Sequence, residues 1–416
     1  MKLLVLTQYF WPENFRINDL ALGLHERGHE VTVCTGKPNY PEGRFFPEYG
    51  FFKHALDDYR GIAVIRVPLI PRGSATGWRL ALNYLSFVLF ASIFAPLRCR
   101  GHFDAILVYE PSPITVGLPA LLLKALKRAP VLLWVQDLWP ESLSATGAVR
   151  APWLLNLVEH LVRFIYRGCD RILVQSRAFI APISRFLPDP QRILFFPNSA
   201  EELYRPVALD PNARERHDVP AGFTVMFAGN IGAAQDFETI INAAERLKSH
   251  SEIKWVIIGD GRMLAWVTKE ITRRDLQNSV HLLGKHPLEA MPHFFALADV
   301  LLVTLKKDPI FAMTIPAKVQ SYLACARPIV AALDGEGARV INEANAGIVV
   351  AAENAQALAD AVSTLCRLPA EERLAMGRRG RTYFEAHFER GRLLDQLEGW
   401  MRGLMNERHA NSHTRR

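Results

Sequence analysis

The chain has 416 residues, 50% of them hydrophobic and 22% charged, a globular composition of two or three domains that excludes disorder of its body. Its 26 glycines and 26 prolines carry no period, which excludes a collagen-like fibre. Lys and Arg outnumber Asp and Glu by 49 to 42, a net charge of +7, and so mild a surplus suits anionic ligands, a membrane surface or nucleic acid alike.

Met1 to Tyr9 carry an apolar run too short for a signal peptide and read as a buried first strand. Short apolar runs then recur near 30–35, 62–69, 103–109, 130–136, 171–175 and 193–196. Helical stretches separate most of them. One is 152–168, where Leu154, Leu155, Val158, Leu161, Val162 and Ile165 recur at helical spacing. Strands alternating with helices predict a parallel sheet covered on both faces. The segment 201–222, rich in Pro, Asp and Arg, reads as linker and entry loop. A second series follows, with strands near 223–228, 254–258, 279–283, 299–305, 328–332 and 347–351. Its helices begin near 235, 262, 288, 316, 336 and 354. The fold class is therefore α/β, with two doubly wound units whose ligands sit beyond the carboxyl ends of the strands. The helical stretch 386–404 follows the completed second sheet and must pack elsewhere; the polar tail 406–416 is expected to fray.

The region 78–98 is unusual. Between Arg79 and Arg98 lie eighteen uncharged residues, the lower edge for spanning a bilayer. Tyr84, Phe87, Phe90 and Phe94 fall on one side of a helix. Three readings stay open: a buried domain helix, an interfacial helix dipping its aromatic stripe into a membrane, and a true span. Asn83, Ser86 and Pro96 weigh against the last. Arg98, Arg100, Lys124, Lys127, Arg128, Arg163 and Arg167 could meet anionic head groups or could simply be solvated.

Several chemistries drop out. The five cysteines (Cys34, Cys99, Cys169, Cys325, Cys366) include no C-x-x-C, so neither a disulfide framework nor a zinc ribbon is expected, and a reducing cytoplasm is. There is no G-x-x-x-x-G-K-S/T, H-E-x-x-H or G-x-S-x-G, and Gly259-Asp260-Gly261 lacks the third glycine of a dinucleotide fingerprint. No two aspartates flank a single residue, so the metal-binding D-x-D of one class of sugar transferases is absent. No metal site is expected. No basic stripe interleaves with aromatics as nucleic-acid binding would need.

The positive signals are strand-end loops. Gly229-Asn230-Ile231-Gly232 leads into a helix at Gln235. Its glycines let N–H groups approach an anion, and the helix start adds partial positive charge. Gly261-Arg262 repeats the arrangement one strand later with a fixed cation. Lys318 falls in the first turn of another helix, where it opposes the macrodipole unless a phosphate is present. Together these loops predict a site for a nucleoside diphosphate. The first half offers a different set. Asn14, Arg16, Asn18 and Asp19 crowd the loop after the first strand. Glu110 ends a strand, and Asp137 ends the next, followed by Trp139 and Glu141. Acids, amides and an aromatic at strand ends suit sugar hydroxyls, although each acid alone also suits a helix cap.

The stretches QYFWPENFRINDLALGLHERGHEVTV, VQDLWPESL, FAGNIGAAQDFETII, IIGDGR, HLLGKHP and IPAKVQSYLACARPIV span both halves in order. In them the chain resembles the retaining GT-B glycosyltransferases of the fourth sequence family, and is most similar to the bacterial surface-polysaccharide branch of WbuB-type N-acetyl-L-fucosamine transferases. The resemblance implies two Rossmann-like domains across a cleft: 1–199 for the acceptor and 200–385 for the nucleotide-sugar donor. A crossover helix, 386–405, would return to the first domain. The donor would be a UDP-sugar, a substrate rather than a cofactor. The acceptor would be an undecaprenyl-diphosphate-linked saccharide. The enzyme would sit at the inner face of the cytoplasmic membrane, with 78–97 as its contact, in O-antigen, capsule or exopolysaccharide synthesis. Gly229, Asn230, Gly232, Gln235 and Gly261 would lie by the donor diphosphate, and Gly284 and Lys285 near the base. Arg262 and Lys318 would stabilise the leaving group without a metal. Asp137 or Glu141 would position or deprotonate the acceptor, beside Asn14, Arg16, Asn18, Glu110 and Trp139. Where the family carries two glutamates eight positions apart, this chain has Met313 and Ser321; Ser321 can hydrogen-bond a ribose but cannot ionise. A UDP-sugar epimerase of the same architecture, or a non-catalytic partner in polysaccharide assembly, are the competing readings.

Overall fold

The computed structural model describes residues 1–74, 76–145, 151–208, 210 and 212–413. The chain divides into two compact units, Met1–Pro197 with Leu393–Arg416, and Asn198–Arg392.

The first unit is built on an eight-stranded sheet. Its strands are β1 (Lys2–Thr7), β2 (Glu30–Gly36), β3 (Leu56–Tyr59), β4 (Ile62–Val67), β5 (Ala105–Glu110), β6 (Val131–Val135), β7 (Arg171–Val174) and β8 (Ile193–Phe195), in the order β3-β4-β2-β1-β5-β6-β7-β8. All pairs are parallel except β3 with β4. The central strands are apolar on both faces because helices cover both: every residue of β5 and β6 is buried. On one side, Leu3, Val5, Leu107 and Trp134 pack on Ile17, Leu20 and Leu24 of the helix Arg16–Glu26.

The last helix, Arg390–His413, completes that same side. Leu393, Leu397, Met401 and Leu404 are buried there, and Arg27 holds Asp395 at 2.6 Å and Glu398 at 3.1 Å. The helix continues past 405, where the sequence places a frayed tail; 414–416 of that tail lie outside the described residues.

The helix Gly77–Arg98 is long and apolar enough to cross a membrane by length and composition, yet one side of it is packed into the fold. Phe87, Ala91 and Ala95 are fully buried against the sheet. Asn83, also fully buried, accepts from Gln8 Nε2 at 2.7 Å and donates to the Ile70 carbonyl at 2.6 Å, while Ser86 accepts from the Ile70 N–H. The polar residues are thus docking points. The aromatic stripe also turns inward: Phe90 meets Phe51 edge-on at 5.3 Å and stacks on Phe94. Of that stripe Phe87 is fully buried and Tyr84, Phe90 and Phe94 are half-buried, and the more exposed side of the helix is a different one.

The second unit carries β9 (Phe223–Ala228), β10 (Ile253–Ile258), β11 (Val280–Gly284), β12 (Val300–Thr304), β13 (Ile329–Ala332) and β14 (Gly347–Val350). They form a wholly parallel sheet in the order β11-β10-β9-β12-β13-β14. The strand order reverses between β9 and β12, which makes that edge the place for a ligand. The expected linker belongs to this unit. Arg214 ties it down through the Pro220 and Leu297 carbonyls at 2.8 and 3.0 Å.

Candidate functional site

Beyond the carboxyl ends of the second sheet, three loops are laced together by their main chains. Gly229 N–H donates to Ile258, Ile231 N–H to Asp260, Met263 N–H to Ile231, and Gly259 N–H to Gly284, all at 2.8–3.0 Å. The packing leaves no room for side chains. At Gly259 (φ 141°) a Cβ would lie 1.8 Å from the Gly229 carbonyl oxygen, so only glycine permits the approach. Among the described residues, the N–H groups of Asn230 and Gly232 have no main-chain acceptor. They stand where the helix Phe237–Arg246 is approached.

At the switch point the loop after β9 meets the loop after β12. Lys306 N–H donates to Ala234 at 3.0 Å, and Thr304 Oγ1 to the Gln235 carbonyl. Gln235 then accepts from Lys318 Nζ through its side-chain oxygen. Lys318 starts the helix Ala317–Ala324. Its Nζ lies 4.0 Å over the Phe227 ring, and its stem passes so close to Gly229 that a Cβ there would meet Cε at 2.7 Å. No carboxylate pairs with it among the described residues. Burial lowers its pKa to about 7, because a desolvated ammonium loses more than an amide oxygen and a ring return. Arg262 and Lys285 are exposed at the neighbouring loop ends, and Gly284 adopts φ 73°. Ser321 is buried and donates to the Ala317 carbonyl one turn earlier at 3.2 Å, so its hydroxyl is engaged with its own helix.

In the first unit the structure sorts the predicted residues. Asn14 is exposed and Arg16 half-buried at the helix start beside Tyr109. Asn18 is committed to the loop, accepting from Trp11 N–H at 3.1 Å and donating to the Glu13 carbonyl at 2.7 Å. Trp139 is buried, with Nε1 donating to Ser112 Oγ at 3.3 Å, and joins the loops after β5 and β6 instead of offering an open ring face. Glu141 forms an ion pair with Arg185 at 2.6 Å. Asp137 is half-buried and accepts from Ser142 Oγ. Burial raises its pKa, although hydrogen bonds from Ser142, Ser112 and the Leu138 N–H oppose the shift. Glu110 is fully buried, and among the described residues neither carboxylate oxygen has a hydrogen-bond partner. The Gln136 and Asp137 N–H dipoles favour its ionised form without hydrogen-bond geometry. Desolvation and the Asp137 charge nevertheless push its pKa well up.

Two family descriptions match this chain. "Glycosyl transferase 4-like domain" covers residues 14–199 and "Glycosyl transferases group 1" covers 211–383. The chain is a group 1 glycosyltransferase of the GT-B fold. The glycosyltransferase is 28% identical over 338 residues to the putative colanic acid biosynthesis glycosyl transferase WcaI of Escherichia coli K12, covering 78% of this chain and 81% of the relative. Its fold matches Anabaena HepE in complex with UDP (TM-score 0.69, 16% identity, 97% of this chain and 100% of that one). It also matches sucrose-phosphate synthase from Thermosynechococcus elongatus (TM-score 0.70, 16% identity, 98% and 100%).

One residue of the glycosyltransferase carries more of its architecture than the sequence suggests. Glu13 is buried, and its Oε1 accepts from Asn39 and Tyr40 N–H at 2.8 and 2.7 Å. Its Oε2 takes Phe10 N–H at 3.3 Å. It therefore clamps the loops after β1 and β2 together. Burial raises its pKa to about 7 against those bonds and Arg66. The sign follows from proton counts: between the unfolded value and about 7 the folded state holds a proton that the unfolded state has released. Glu13's contribution to stability is therefore full at acid pH and lost as pH rises through 7. The loss is up to about 3 kcal/mol. Denaturant titrations at pH 5 and 7.5 should show this decrement in the wild type and not in Glu13→Gln. Equal decrements in both would assign the clamp a different titration.

Sequence reasoning also passed over Gly335 and Glu336, at the start of the helix Glu336–Glu343. Gly335 (φ 73°) lets the Ala312 carbonyl come within 1.9 Å of where a Cβ would stand. The G-x-G spacing between strand and helix was the available signal.

Proposed function

We propose that the protein transfers a sugar, with retention of configuration, from a UDP-sugar to a lipid-linked saccharide in surface-polysaccharide assembly. The observation that carries this reading is Lys318, a half-buried ammonium without a carboxylate partner among the described residues, aimed by Gln235 at the glycine loop of the switch point. A diphosphate against Gly229, Asn230 and Gly232 would receive N–H groups, a helix start and two cations, Lys318 and Arg262. These stabilise negative charge that grows on the leaving group. Asp137 would accept the proton of the attacking hydroxyl. The WcaI relative supports a place in polysaccharide synthesis, and the UDP complex of HepE supports the nucleotide. The identity of the transferred sugar rests on the sequence resemblance, which puts N-acetyl-L-fucosamine first.

The test is a panel of UDP-sugars, including UDP-N-acetyl-L-fucosamine and UDP-GlcNAc, with and without an undecaprenyl-diphosphate-GlcNAc analogue, in EDTA. Acceptor-dependent UDP release with one sugar mass added is expected for one donor. Isomerisation of a UDP-sugar without acceptor would replace the transferase reading with an epimerase.

A further inference from the structure

The crossovers β4 to β5, β5 to β6 and β6 to β7 all run the same way along the first sheet. Right-handed connections therefore place their helices, Gly77–Arg98, Gly117–Lys127 and Pro152–Gly168, side by side on one face. Each buries one side: Phe87 and Ala91, Ala120 and Leu123, Val162 and Ile165. Their opposite sides share a surface that is strongly apolar. Leu85, Leu89, Leu97, Leu126, Leu157 and Phe164 are each more than half exposed. Exposed apolar area of this breadth marks an interaction surface.

The charge pattern says what covers it. The first two of these helices contain four basic residues and no acid, and of the four Lys124 is paired with Asp170 at 2.7 Å. At their carboxyl ends Arg100 and Arg128 are exposed, and Lys127 pairs with no carboxylate among the described residues. Apolar side chains on convex helices, edged by cations, fit a bilayer with anionic head groups. We infer that this three-helix face lies flat on an anionic membrane, with the leucine side of the 77–98 helix in the interface. It does not span, because its other side is packed into the sheet, where Gln8 and Ile70 hold Asn83. The surface would deliver the acceptor site to a lipid-linked substrate, and in that sense it deepens the proposed transfer. Vesicle binding needs no turnover, so the two readings fail separately.

The experiment is flotation of the full chain with vesicles of phosphatidylethanolamine and phosphatidylglycerol, and with phosphatidylcholine alone. The wild type should float with the anionic vesicles. Leu85→Glu with Leu89→Glu should lower the partition coefficient at least about tenfold on both compositions. Arg100→Glu with Lys127→Glu should lower it roughly tenfold or more on the anionic vesicles only. UDP binding and circular dichroism of each variant report that it is folded. The inference is overturned if the wild type stays in the aqueous layer, or if the leucine variant floats as well as the wild type. It is overturned equally if sedimentation shows a dimer that the leucine variant dissolves, since a second copy would then cover this face.

Discussion

Replacing Lys318 with Ala should lower kcat/KM by roughly 10²- to 10³-fold, the cost of removing one preorganised donor to a developing anion. UDP affinity should fall with it, because the same ammonium meets the ground-state diphosphate. Thermal stability should hold or rise. The ligand-free protein bears the desolvation of this group, whose pKa is lowered to about 7, and the variant escapes it. That opposition separates a binding residue from a structural one. Lys318→Arg should not rescue activity, since the stem is threaded between Gly229 and the Phe227 ring and a planar guanidinium has a different shape. The pH dependence has a definite sign. Between pH 7 and the unfolded value the unfolded chain holds a proton that the folded one has lost. Stability of the ligand-free protein therefore rises with pH across that window. UDP binding draws the proton back, so affinity should weaken above about pH 7. Calorimetry in buffers of differing ionisation enthalpy should register proton uptake on binding. No uptake, with unchanged UDP affinity in Lys318→Ala, would remove the assigned donor site.

The parallel strands were legible because burial on both faces writes a continuous apolar run, as in β5 and β6. β3 was missed because Leu56-Asp57-Asp58-Tyr59 is a half-exposed, polar edge strand. The helix Ala370–His387 was missed for a related reason: its sequence is heavily charged and it buries only Gly377, Gly380 and Phe384. Its contact with the Ala326 carbonyl is close enough to demand glycine at 377. The site divides the same way. Glycines after strands announce an anion loop locally. The partnership of Gln235 with Lys318 and the three N–H bonds to Glu13 link loops that are remote in sequence, so no spacing rule reaches them. The 77–98 helix shows a third limit. It is apolar all round, so periodicity found a real aromatic stripe and could not tell whether it faced the sheet or the solvent.

Asp137→Asn should lower kcat by roughly 10²- to 10⁴-fold, the range for loss of a general base, and leave UDP affinity unchanged. The separation is expected because Asp137 belongs to the first unit, whereas the proposed UDP contacts all belong to the second. The geometry favours Asp137 over its acidic neighbours. Glu141 is neutralised by Arg185 at 2.6 Å. Glu110 is fully enclosed, and desolvation and the Asp137 charge push its pKa well up, which disfavours the carboxylate form that a base needs. Asp137 is half-buried, oriented by Ser142, and raised by burial, which brings a carboxylate nearer the pH at which a base works well. The rate should therefore fall as pH drops through that raised value, while the residual rate of Asp137→Asn should be flat over the same range. Glu141→Gln should cost less than about tenfold, since a half-exposed ion pair with Arg185 is worth little. A Glu141→Gln rate as low as that of Asp137→Asn would transfer the base role to Glu141. A wild-type pH profile that survives in Asp137→Asn would place the titrating group elsewhere.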